Sequence, residues 1–178
     1  VHVWPVLLAS VMMGIIDATY WTTGTVLSDN LARTNFWGSM FLPFYMLPPV
    51  FMGLILAKWG VYKGKKKLAE IFLLLSGVLL ACLGIGESLF LMLFLSLMVG
   101  VVLSIAWPLV DAVYSDLMVR MGKERKHMVG LSSSTVSLAY IVGPITAGFI
   151  ASKVGERMTF VVIGMLVIVV SLVLFLVT

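Results

Sequence analysis

Charge is what this chain has least of. Only 11 % of its 178 residues are Asp, Glu, Lys or Arg, against 61 % that are hydrophobic, and the mean hydropathy is +1.14. A soluble domain is about 25 % charged and about 45–50 % apolar. So few charges cannot cover a water-exposed surface, and the solvent for most of the chain is therefore lipid. Cysteine is nearly absent too. Cys82 stands alone inside an apolar run, which excludes an internal disulfide and a multi-cysteine metal site and leaves it a packing role. Histidine is confined to His2 and His127, both at predicted membrane ends, so no His-based dyad can act at membrane depth. The missing glycine-rich phosphate loop speaks against ATP-driven pumping by the chain itself. No enzyme activity, cofactor or metal is expected. The net charge of +4 gathers in two short loops and is no signal for a nucleic-acid partner.

What is present is a series of long apolar runs. A helix needs roughly 20 apolar residues to cross a bilayer core, and the runs fall at about 4–27, 36–57, 68–85, 89–115, 128–152 and 158–178. Strands are implausible, because open sheet edges cannot exist in lipid. The expectation is an all-α integral membrane bundle of six helices forming one unit over 1–178, with the polar residues Ser28 to Asn35 as a loop after the first span. The chain begins at Val1, and no short apolar leader stands apart from the bundle, which suggests a piece of a longer protein.

Lys and Arg give an orientation. The segments after spans two and four carry Lys58, Lys63, Lys65, Lys66, Lys67, Arg120, Lys123, Arg125 and Lys126; those after spans one, three and five carry Arg33, Lys153 and Arg157. Nine against three is a positive-inside bias that puts the basic loops and both chain ends in the cytoplasm. The plasma (inner) membrane is the expected location. Trp37, Trp59 and Tyr62 fall near predicted interfaces, where amphipathic rings favour the headgroup level.

The spans differ in polarity. The third and sixth are almost wholly aliphatic and read as peripheral, lipid-facing helices. In the first, Ser10, Gly14, Asp17, Trp21, Gly24, Thr25 and Ser28 recur at helical spacing; in the fourth, Ser96, Gly100, Ser104, Trp107, Asp111 and Ser115 do so. Each set makes a stripe on one face, to be placed against other helices or a wet cavity. Close packing by Ser and Gly accounts equally well for Ser10, Ser96 and Gly100. It does not account for Asp17, which falls near mid-span, where a carboxylate costs several kcal/mol. No Lys or Arg lies at that depth. Asp17 therefore calls for a partner from a missing part of the protein, or takes up a proton for part of a cycle. Asp111, three residues past Pro108, either lines the same cavity or caps the wet end of its span. Prolines 43, 48, 49, 108 and 144 fall inside predicted spans, where they remove backbone hydrogen bonds and favour kinks.

These features together resemble one six-helix half of a major facilitator superfamily transporter. Gly53-Leu54-Ile55-Leu56-Ala57-Lys58-Trp59-Gly60, followed by Lys63, Lys65, Lys66 and Lys67, is similar to that family's cytoplasmic motif Gly-x-Leu-Ala-Asp-Arg-x-Gly-Arg-Lys. Gly143-Pro144 with Gly148 in the fifth span is similar to its Gly-Pro-x-x-Gly-Gly signature, and implies a helix-bending role for the three. Ala57 replaces the motif's acid, and Met98 stands near the place of an arginine common in the first half. Both departures suggest the carboxy-terminal half, helices seven to twelve of twelve, with the amino-terminal half as the alternative. The resemblance implies that Asp17, Tyr20, Trp21, Thr25, Ser104, Trp107 and Asp111 line the substrate path. It also implies a cytoplasmic gate at Gly53, Lys58, Gly60, Lys63 and Asp116, in which Lys58 or Lys63 pairs with Asp116; a local pair with Arg120 is the alternative. The expected partners are a small-molecule substrate, protons, the bilayer and the other six-helix half. Secondary active transport by alternating access, coupled to protons and directed to efflux of amphipathic organic compounds, is the leading expectation. An uptake permease for a sugar or metabolite would carry more Asn, Gln and Arg in its spans. A non-transporting receptor or scaffold bundle leaves Asp17 and the stripes without a purpose.

Overall fold

The computed structural model describes residues 3–58, 64–121 and 125–177. Six helices among them are long and apolar enough to span a membrane. We label them α1 (Trp4–Thr34), α2 (Phe41–Lys58, entered through a 3-10 turn at Phe36–Met40), α3 (Lys65–Ile85), α4 (Leu89–Met121), α5 (Arg125–Val154) and α6 (Glu156–Val177). No strand occurs among the described residues.

The largest departure from the sequence reading is at the end of α1. The polar stretch expected as a loop from Ser28 is helical through Thr34. Nothing between Thr25 and Thr34 breaks a helix: the segment lacks Gly and Pro, and Asp29 pairs with Arg33 one turn on at 3.0 Å. The helix ends at Asn35, whose backbone turns extended (φ −153°, ψ 132°) and whose Oδ1 accepts from the Trp37 backbone N–H at 3.0 Å. Ser28 ties the returning chain down by donating to Gly38 O at 3.2 Å. Gly38 is required there, since a Cβ would lie 2.3 Å from the Leu31 backbone. Both prolines in the body of α2, and those in α4 and α5, sit inside continuous helices.

Packing pairs the helices. α3 lies along α6 and α4, α2 along α4, and α1 along α5. Small residues set the approach: Gly77 and Gly164 face each other between α3 and α6, as membrane helices without a hydrophobic drive to associate require. The centre is α1 and α4, whose spanning segments are 67 % and 56 % buried, while α2 and α5 are only 22 % buried. Polarity had singled out α3 and α6 as the outer helices. They do present apolar outer faces, through Leu75 and Val78 and through Leu166, Val169 and Phe175. Yet α2 and α5 are barer still, exposing Val50, Phe51, Leu54, Ile141, Ile145 and Phe149. Apolar surface made for lipid and apolar surface made for protein have the same composition, so residue counts cannot separate them.

Candidate functional site

Asp17 sits near the middle of α1, one turn before an interruption. Residues Tyr20–Gly24 form a π-turn, in which one extra residue widens the helix; such turns are rare and frequent at functional sites. The threonines around it back-bond to main-chain carbonyls: Thr19 to Ile15 O, Thr22 to Ala18 O, and Thr25 to Thr22 O. The widened turn leaves Trp21 49 % exposed while its neighbour Tyr20 is fully enclosed.

The Asp17 carboxylate is held by two tyrosines from two other helices. Tyr45 on α2 donates to Oδ1 at 2.7 Å, and Tyr140 on α5 donates to Oδ2 at 2.5 Å. The sequence reading asked for a basic partner from outside the chain or a proton. Two phenols inside the chain already provide hydrogen bonds, because a carboxylate is an acceptor that any O–H can satisfy.

Both tyrosines are positioned by close helix contacts. The Tyr45 ring stacks flat on Tyr20, with centroids 3.8 Å apart and planes 6° apart, and Tyr20 in turn meets Phe41 and Phe160. α4 presses on the same turn of α2. Ser96 donates to Phe41 O at 3.0 Å, and Gly100 lies so near Tyr45 O that a Cβ would come within 2.3 Å. On the other side, α5 reaches α1 through two small-residue contacts. A Cβ on Gly14 would stand 2.6 Å from the Ala139 Cβ, and one on Gly143 would stand 2.6 Å from that of Ala18. Tyr140 lies between these two contacts and is carried onto Asp17.

Beside Asp17 a cleft of about 430 Å³ opens between α1, α2 and α4; its wall includes Asp17, Trp21, Tyr45, Met46, Ser104 and Trp107. Four of the residues expected on the path thus converge on one cleft: Asp17, Trp21, Ser104 and Trp107. Tyr20 does not line it. It is fully buried behind Tyr45, because the π-turn rotates it into the aromatic core, and its role is to back the Tyr45 ring. Thr25 is also outside the wall, since the same extra residue shifts it along the helix and its hydroxyl is spent on Thr22 O. Asp111 is exposed one turn beyond Trp107, and the structure gives it no hydrogen bond or ion pair among the described residues. Of the polar stripes, Ser28 and Ser96 serve helix packing and not the cleft surface, while Gly100 does both.

At the Lys-rich end, Asp116 accepts from Lys65 Nζ at 3.0 Å. The acid thus meets the basic stretch at Lys65, on the first turn of α3, and makes no ion pair with Arg120. Gly60 and Lys63 lie outside the described residues, as does the Lys58 side chain. Gly53 borders the cleft. Gly143 acts as the seat of α1, and Gly148 faces open space; Pro144 lies within α5 without ending it. No cluster of His, Cys, Asp and Glu able to hold a metal occurs among the described residues.

Tyr45 and Tyr140 escaped the sequence reading. The available signal was their depth: a phenol inside a membrane span needs a hydrogen-bond partner for its O–H. The sequence reading gave roles to Tyr20, Trp21 and Trp107 on the path and to Trp37, Trp59 and Tyr62 at the interfaces, but none to these two phenols.

A family model described as Major Facilitator Superfamily matches residues 6–178. The chain belongs to the major facilitator superfamily. Its six spanning helices fit one six-helix half of such a transporter. It is therefore an integral membrane transport protein whose partners are the bilayer and a small-molecule substrate. Comparison with curated proteins and with solved structures yields no match. In superfamily transporters the substrate site lies near the midplane, where the halves meet. In this chain Asp17 lies near the middle of α1.

Proposed function

We propose that this chain is the carboxy-terminal half of a proton-coupled secondary transporter of amphipathic organic solutes, with Asp17 as the proton site. The observation that carries the reading is a mid-span carboxylate on the wall of a cleft, held by two phenols, with no cation beside it among the described residues. Such a group is costly at that depth. A neutral clamp lets it change charge without leaving a buried lysine or arginine unpaired.

Protonation alters the hydrogen bonding directly. The ionised carboxylate accepts from both tyrosines, whereas the protonated acid turns one oxygen into a donor. One tyrosine must then reorient its O–H to accept, or let go. Because Tyr45 belongs to α2 and Tyr140 to α5, the proton acts on the two helices with the barest faces. Those faces suit a second six-helix half, and rocking of the halves about a midplane site supplies alternating access. The Lys65–Asp116 pair is placed to act as one breakable contact of a gate, on the side that the positive-inside bias assigns to the cytoplasm. The apolar wall and the scarcity of Asn, Gln and Arg in the spans support amphipathic cargo over sugars.

The test is solute-driven proton movement in vesicles containing the complete protein, comparing wild type with Asp17→Asn at equal expression. Proton flux in the wild type and none in the variant supports the reading, and its sign separates exchange from co-transport. Equal flux in both makes Asp17 structural and ends the coupling assignment.

A further inference from the structure

Resting on that reading, we infer that the cleft selects monovalent organic cations, of the quaternary or protonated-amine kind with apolar substituents. Three independent features of the wall converge on this ligand chemistry. The first is charge: among the described wall residues Asp17 alone can carry a formal charge at neutral pH, and no Lys or Arg faces it. An anionic ligand would meet a carboxylate and no counter-charge. A neutral polyol would meet few donors, since the Ser104 hydroxyl is already given to Gly100 O at 2.6 Å.

The second feature is the rings. Trp21 from α1 and Trp107 from α4 stand on the same cleft wall as Asp17, and Tyr45 from α2 joins them. An indole face attracts a cation, and more strongly where water is excluded. A ring does this without binding the ion irreversibly, which suits a site that must also release. Met46 adds a flexible, polarisable contact for apolar substituents.

The third feature is Asp111. It is exposed on α4 one turn from Trp107 and has no partner among the described residues. A second acid without a base extends the negative potential from the cleft toward the Lys-rich end. A cation arriving along α4 therefore passes Asp111 and Trp107 before it reaches Asp17.

The probe pair is tetraphenylphosphonium and tetraphenylborate, near-isosteric ions of opposite sign, applied to the complete protein in nanodiscs with empty nanodiscs as blank. Saturable binding of the phosphonium with none of the borate is expected. Asp17→Asn should weaken the phosphonium by about tenfold or more, and Trp107→Leu by about threefold, each loss scaling with the free energy of the contact removed. Trp107→Phe should recover most of the second loss, which a packing defect at that position would not predict. Should Asp17→Asn fail to fold, Trp21→Leu with Trp107→Leu carries the same test. Equal binding of the two ions, or phosphonium binding indifferent to Asp17 and to both tryptophans, overturns the assignment. Proton movement driven by neutral or anionic solutes without phosphonium binding also overturns it, while leaving proton-coupled transport standing. Asp17-dependent phosphonium binding in a protein that moves no protons supports the cation site and removes the coupling.

Discussion

Gly100→Ala tests the geometry of the site at one methyl group. The added Cβ would stand 2.3 Å from Tyr45 O, 3.1 Å from the Tyr45 carbonyl carbon and 3.1 Å from the Pro48 ring. Ordinary contacts between heavy atoms begin near 3.5 Å, so α2 and α4 must part by about 1 Å. Neither neighbour can give way locally, because both are main chain or ring. Overpacking of this kind costs about 1–3 kcal/mol. The intrinsic helix preference runs the other way, with Ala better than Gly by up to about 1 kcal/mol. A free site should thus gain stability from the same change. Within this six-helix unit Gly148 offers that control, with nothing within 4 Å of its Cβ position. Thermal unfolding of the complete protein should place Gly100→Ala several degrees below wild type and Gly148→Ala level with it or above. Proton movement should fall in Gly100→Ala alone, since the displaced segment carries the Tyr45 hydroxyl that sits 2.7 Å from Asp17. If Gly100→Ala matches Gly148→Ala in stability and in transport, the close α2–α4 contact is not what positions Tyr45.

Tyr45→Phe and Tyr140→Phe should each reduce proton-coupled transport, and a double-mutant cycle of either with Asp17→Asn should show a coupling of about 1–2 kcal/mol, typical of hydrogen bonds to an ionised group; additive effects would place the phenols outside the proton site. Gly143→Ala should separate α5 from Ala18 and weaken the Tyr140 contact, read as lower transport with an intact fold by circular dichroism. The Lys65–Asp116 pair is 22 % and 57 % exposed, so reversing one charge should cost no more than about 1 kcal/mol of stability. Its larger effect should be on transport rate, restored when Lys65→Asp and Asp116→Lys are combined; failure of the double reversal to recover rate would remove the pair from the gate. Tyr20→Phe keeps the ring that backs Tyr45 and should leave transport unchanged, whereas Tyr20→Ala should impair it by unseating that ring.

Much of the fold was legible because lipid simplifies the code. Six apolar runs of spanning length, few charges and a lopsided Lys and Arg count leave little freedom in architecture. The ends of helices were less legible. Ser28 to Thr34 looked like a loop because polarity was equated with irregularity, yet polar residues without Gly or Pro continue a helix once it has left the membrane. At the site, Asp17, Trp21, Ser104 and Trp107 could be found from spacing, since a costly or polar residue recurring on one helix face needs a reason. Tyr20, put on the path by the resemblance, and Thr25 lie outside the cleft wall; ideal 3.6-residue spacing does not hold across a π-turn, and no residue pattern in Tyr20–Gly24 announces one. Tyr45 and Tyr140 join Asp17 from positions 28 and 123 residues away. Small-residue contacts at Gly14, Gly100 and Gly143 help bring them there, and those contacts become readable once it is known which helices are neighbours.

The arrangement around Asp17 also explains why the acid stands on α1 and not on a barer helix. α1 touches α5 along one side and reaches α2 and α4 on the other, so a group at its middle is within reach of every element that borders the cleft. The hydrogen-bond donors come from α2 and α5, the helices with the least contact inside this half. A change at Asp17 is therefore felt first by the elements with the least to hold them. The Tyr20, Phe41 and Phe160 cluster behind Tyr45 is fully buried, so the rear of the site yields little and the response is directed toward the open face. A carboxylate clamped by a basic residue would resist losing its charge, because the base would be left unpaired in a medium where that costs several kcal/mol. On the proposed reading, a clamp of phenols accommodates a change of charge at the carboxylate by redirecting one hydroxyl, which a merely structural ion pair would not do.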